Sequence, residues 1–66
     1  MMQPLRFLVS PNQGGWTLSV GPTVLASHST LDRAVRAAVD MARRTRGNNR
    51  VFLESEDGQV QQHWPA

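Results

Sequence analysis

Apolar and polar positions follow two different periods along this chain. From Ser29 to Gly47 the period is helical. Leu31, Ala34, Val35, Ala38 and Ala42 recur at spacings of three and four, which places them on one face of an α-helix. Val39 and Met41 widen that stripe on its two flanks, and Arg33, Arg36, Asp40, Arg43 and Arg44 fall on the opposite face. Ser29 or Thr30 can cap the free N–H groups at the start. Asp32 in the first turn, and Arg43, Arg44 and Arg46 near the end, complement the helix dipole. Gly47 suits the left-handed position after the last turn, and Asn48-Asn49 continues that turn. A helix this short is marginal in water by itself. Its alanines make the buried face shallow, so a flat partner can approach closely.

Elsewhere the period is two. Arg6–Ser10 reads as a strand, Pro11 to Gly15 as a turn cluster, and Trp16–Val20 as a strand of strict alternation. Gly21-Pro22 is the next turn, and Thr23–Ser27 a weaker third strand. With Pro11 opposite Trp16, Val9 faces Leu18 and Phe7 faces Val20; across the second turn, Leu25 faces Leu18. One register thus puts Phe7, Val9, Trp16, Leu18, Val20 and Leu25 on the helix side. Met1 to Leu5, with Pro4, is a loose lead-in. After the helix, Arg50–Glu56 and Gln59–Trp64 flank Asp57-Gly58, a two-residue hairpin signal. Folding about that turn pairs Ser55 with Val60, Leu53 with Gln62 and Val51 with Trp64. Val51, Leu53, Val60 and Trp64 then face the helix, while Phe52, Glu54, Glu56, Gln61 and His63 face away. The expected architecture is a single α+β domain over residues 1–66. It is a five-stranded antiparallel sheet in the order β-β-β-α-β-β, with the helix on one face, in two layers.

Composition narrows the function classes. Sixty-six residues make one small domain, which buries only about 60% of its unfolded surface. The absence of cysteine rules out disulfides and thiolate metal sites and fits a cytoplasmic location. No apolar run approaches the ~18 residues of a membrane span, and the start lacks a signal-peptide pattern. All seven basic residues are arginine, as a GC-rich genome favours, but the net charge is only +2. That falls short of the large clustered excess that marks a nucleic-acid binder.

Little of the remaining chemistry is catalytic. A nucleophile needs a base and an orienting group, and only His28 and His63 could serve as base; both read as surface histidines. Two distant histidines make no metal site. Gly14-Gly15 is a hairpin turn and not a phosphate loop, because no helix or Gly-Lys-Ser/Thr follows it. No enzyme activity and no cofactor are expected. Two charged surfaces remain. Arg33, Arg36, Arg43 and Arg44 could grip phosphates, although Asp32 and Asp40 stand four residues before Arg36 and Arg44, a spacing that favours ion pairs on the helix. Glu54, Glu56 and Asp57 concentrate three of the five acids within four residues. Phe52 and His63 are expected beside them on the outer sheet face, with Leu8 and Val24.

Gly14-Gly15-Trp16 with Val20, Ser27 to Thr30 ahead of the Ala- and Arg-rich helix, and Asp57-Gly58 with Val60 together resemble small bacterial and phage domains of unknown function. The resemblance spans nearly the whole chain; the short Gly21-Pro22 turn departs from it. It implies the fold and no catalytic residue. In size and style the chain also resembles small phage inhibitors of host defence, the anti-CRISPR proteins among them. The expectation is a non-enzymatic protein-binding module, monomeric or dimeric. Glu54, Glu56, Asp57, Phe52 and His63 would meet a basic, nucleic-acid-handling protein, the acids imitating phosphates. The alternative is direct DNA or RNA binding through Arg33, Arg36, Arg43 and Arg44.

Overall fold

The computed structural model describes residues 4–65; Met1 to Gln3 of the expected lead-in lie outside them. The order is β1 (Arg6–Asn12), β2 (Gly15–Val20), β3 (Thr23–His28), α1 (Leu31–Arg44), β4 (Arg50–Glu54) and β5 (Val60–Trp64). The strands form one sheet in the order β3-β2-β1-β4-β5. The helix packs on β1, β2, β3 and β4. Phe7, Val9, Leu18 and Val51 from the sheet meet Ala34, Ala38 and Ala42 from the helix, and all seven are at most 3% exposed. Trp16 and Trp64 are half-buried and pack against this core. Alanines on the helix thus leave room for large side chains on the sheet.

The helix boundaries follow from caps. The Thr30 backbone is extended and its Oγ1 accepts the Arg33 N–H at 3.2 Å. At the other end Thr45 donates its backbone N–H (3.0 Å) and its hydroxyl (2.8 Å) to the Met41 carbonyl, and Gly47 follows at φ 108°. Asn49, only 4% exposed, completes the end. Its Nδ2 donates to the carbonyls of Ala42 (3.2 Å), Thr45 (2.8 Å) and Arg46 (3.4 Å), while its Oδ1 accepts the Leu5 N–H at 2.9 Å. One side chain thereby takes up the Ala42 carbonyl in the last turn of the helix and two carbonyls just beyond it, and ties this end to the chain entering β1. The sequence marked Asn49 only as part of a turn. Met41, expected on the helix's buried flank, is 38% exposed.

The sheet is mixed and not antiparallel throughout. β1 and β4 pair in parallel, Arg6 with Arg50 through Val9 with Leu53. β3 leads upward into a descending helix, so β4 rises again in the direction of β1, and it takes the open edge of β1 rather than that of β3. The first hairpin has the expected register, Phe7 with Val20, Val9 with Leu18 and Pro11 with Trp16. Its tight turn is Gln13-Gly14, both at positive φ (47° and 83°), as a two-residue hairpin requires. Gly15 is needed for close approach: a Cβ there would stand 2.8 Å from the His28 carbonyl oxygen.

Both edge strands depart from simple alternation. In β3, Val20 pairs with Thr23 and Ser19 with Val24, but Leu18 pairs with Ala26. Leu25 is the extra residue of a bulge. It is 44% exposed instead of facing Leu18, and the small Ala26 takes its place under the helix. The last hairpin differs at its turn. The Ser55 carbonyl accepts the Gly58 N–H (2.9 Å) and the Gln59 carbonyl accepts the Ser55 N–H (2.8 Å). Glu56, Asp57 and Gly58 therefore form a three-residue turn with Gly58 alone at positive φ (91°), and Asp57-Gly58 is not a two-residue one. That extra residue shifts the register: Val60 pairs with Glu54, Gln61 with Leu53 and Gln62 with Phe52. Val60 is accordingly 54% exposed on the helix-free face, not in the core. A second irregularity between Val51 and Phe52 restores the expected pairing of Val51 with Trp64. Bulges of this kind twist edge strands and blunt them against further pairing.

Candidate functional site

Strand direction sorts the charges to opposite ends of the molecule. β1 and β4 start side by side at Arg6 and Arg50. The helix descends to the same end, where Asn49 bonds the Ala42 and Arg46 carbonyls to the Leu5 N–H. Arg6, Arg43, Arg44, Arg46 and Arg50 therefore gather at one end. The far end holds the β1–β2 turn, the start of the helix and the β4–β5 turn with Glu54, Glu56 and Asp57. Sequence reading missed Arg6 and Arg50 as part of the basic set, because their proximity depends on the parallel pairing.

At the acidic end Glu56 borders two depressions, and Trp16 borders both with it. One, of about 410 Å3, lies between the two hairpin turns and is otherwise lined by Pro11 to Gly15. The other, of about 400 Å3, lies on the helix side against Leu31, Leu53, Glu54 and Gln61. Glu56 is exposed and Glu54 half-buried. Asp57 is engaged locally: the Ser55 hydroxyl donates to its carboxylate, and the Gln59 N–H reaches the same oxygen at 3.4 Å. The Ser55 bond first, then that backbone N–H, holds the Asp57 carboxyl below the ordinary carboxylate value. Its charge closes the turn as well as facing solvent.

The five residues expected to meet a partner divide between faces. Phe52 lies on the helix-free face, where the Arg6 guanidinium sits 5.8 Å from its ring centroid. His63 does not join it there. The extra residue in the β4–β5 turn places it on the helix side, beside Leu31, Asp32, Val35 and Leu53. His28, read as a surface histidine, is half-buried opposite Trp16. Its Nε2 is enclosed and has no partner among the described residues; the β3 bulge turned it inward.

On the helix, Arg36 pairs with Asp32 and Arg44 with Asp40, each at 3.2 Å and largely exposed. Such pairs contribute little to stability. Arg33 and Arg43 make no ion pair among the described residues. No group of three or more potential metal ligands occurs among those residues, and no helix there is long and apolar enough to cross a membrane.

Residues 7–64 match the model of a family described as an uncharacterized protein conserved in bacteria, DUF2188. No curated protein and no solved structure matches the chain. The match runs from the first core residue of β1 to the last residue of β5, and the chain belongs to this family.

Proposed function

We propose that this family member is a non-catalytic binding module that takes a basic segment of another protein at its acidic end. The observation that carries the reading is the pairing of Trp16 with Glu56 along two adjoining depressions. An arginine or lysine side chain can lay its aliphatic stem on apolar surface and keep its charge in water. An indole face attracts such a cation, and the carboxylate of Glu56 complements it. Asp57 supports this site by shaping the turn that presents Glu56. In its narrowest form the reading is a small phage or mobile-element inhibitor whose acids imitate phosphates and occupy a nucleic-acid-binding cleft. The clustering of the three acids alone supports that form.

The test is NMR titration of the full chain with an arginine-rich peptide. The Trp16 indole and the Glu56 amide should shift together, and Glu56→Gln should weaken binding by about tenfold. Shifts confined to other surfaces, or an unaltered affinity in Glu56→Gln, would overturn the reading. A second reading is DNA or RNA binding through the helix arginines: Arg43 and Arg44 draw support from the collection of five arginines at the opposite end, whereas Arg33 and Arg36 lie toward the start of the helix, away from that collection. It requires salt-dependent binding to a random duplex, reduced when Arg43, Arg44 and Arg50 are changed to Gln.

A further inference from the structure

The helix covers one face of the sheet, and among the described residues no element covers the other. Across the middle of the bare face, register partners line up as Val24, Ser19, Leu8, Phe52 and Gln62. Val24 is 63% exposed, and Leu8 and Phe52 are half-buried. On one side of this row stand Arg6 and Arg50, adjacent in the parallel register. On the other side stand Ser10 on β1 and Glu54 on β4, with Val60 opposite Glu54. Like charges on neighbouring strands are unfavourable. Arg6 lies over the Phe52 ring and makes no ion pair among the described residues, so an acid from outside would complement this pair of arginines.

We infer that the helix-free face is a homodimer interface, with a second copy of this chain packed on it in the opposite strand direction. The charge pattern selects this geometry. A two-fold axis along the Val24–Leu8–Phe52 row turns the partner's β4 over and reverses it. Arg50 then meets Glu54 of the second copy, Phe52 meets Phe52, and Glu54 meets Arg50. A two-fold axis along the strands would instead stack the arginines of both copies on each other. The alternation Arg50, Phe52, Glu54 is thus self-complementary in only one of the two aligned packings. Two sheets face to face bury their inner residues between them at about 10 Å, and a two-fold dimer uses the same patch twice. The result is a four-layer helix-sheet-sheet-helix particle. With five short strands the contact lies at the small end of specific interfaces, so the dimer should dissociate on dilution.

The interface borders the second depression at Glu54 but includes neither Trp16 nor Glu56, so Glu56→Gln leaves the dimer intact and Arg50→Glu leaves the Trp16–Glu56 site intact, and the two readings fail separately. The test is sedimentation velocity of the full chain over a concentration series. The parent should pass from 7.3 kDa to twice that mass. Arg50→Glu and Glu54→Arg should each weaken association by about tenfold or more. The double variant, R50E with E54R, should restore it, because the reversed pair is again complementary. If one reversal unfolds the chain, Arg50→Gln and Glu54→Gln are read in its place. A parent that stays monomeric up to roughly 1 mM, a dimer indifferent to the single changes, or a double variant that fails to recover would each overturn the inference.

Discussion

Replacing Asn49 by Ala tests how the chain closes its helix. The side chain is 4% exposed and engages four backbone groups, the carbonyls of Ala42, Thr45 and Arg46 and the N–H of Leu5. Thr45 and Arg46 sit near the surface, and water can replace the amide there. The bond to Ala42 is buried and the bond to Leu5 partly so. A hydrogen bond contributes about 0.5–1.5 kcal/mol net, and a buried group left unsatisfied costs about 1–3 kcal/mol. Two such groups, the Leu5 N–H counted at the low end because it is only partly buried, put the expected loss for Asn49→Ala at about 2–4 kcal/mol. A domain of this length has only ~3–10 kcal/mol in total at the usual stability per residue. The melting temperature should fall by roughly 8–32 °C, at about 4–8 °C per kcal/mol for small domains. Asn49→Asp sharpens the test. It keeps the acceptor for Leu5 but turns a carboxylate toward three carbonyls, so at neutral pH it should be at least as destabilising as Ala. Asn48, exposed beside it, is the control, and Asn48→Ala should change stability by less than about 0.5 kcal/mol. Thermal melts followed by circular dichroism read all three. An Asn49→Ala protein that melts within about 2 °C of the parent would refute the reasoning, since it would mean that the helix end needs no internal partner.

Two further outcomes concern the last hairpin. Gly58 sits at φ 91° with open space where a Cβ would go, so Gly58→Val should cost about 1–2 kcal/mol of backbone strain alone, read as a lower urea midpoint. An unchanged midpoint would mean the turn relaxes to another form. Asp57 has its folded-state pKa depressed, first by the Ser55 hydroxyl and then by the Gln59 N–H. Its contribution is therefore present above the unfolded-state pKa and lost as pH falls through the folded one. Asp57→Asn should lower stability in the neutral region and flatten the acid limb, so that variant and parent converge as pH falls below the ordinary carboxylate range; an acid limb identical to the parent's would contradict the turn's hydrogen bonding.

The parts of this fold that depend on neighbouring residues are legible in the chain itself. Helical spacing put Leu31, Ala34, Val35, Ala38 and Ala42 on one stripe, of which the three alanines are buried, and offered Ser29 or Thr30 as the cap, which is Thr30. The first hairpin's register followed from matching apolar parity across a short turn. The clustering of Glu54, Glu56 and Asp57 is a fact of chain order. Three features required the assembled structure. The parallel pairing of β1 with β4 joins residues about forty positions apart, and no local pattern distinguishes the two free sheet edges between which β4 chooses. The positions of Leu25, Val60 and His63 depended on irregularities in β3 and at either end of the β4–β5 pairing. Alternation has a period of two, so one added residue reverses the facing of every residue beyond it. The gathering of Arg6 and Arg50 with the helix-end arginines, and of Trp16 with Glu56, arises only when strand direction brings separate segments to the same end. Turn chemistry and periodicity act within a few residues; charge polarity and site geometry are set by which edge a strand joins, a choice made by the whole core.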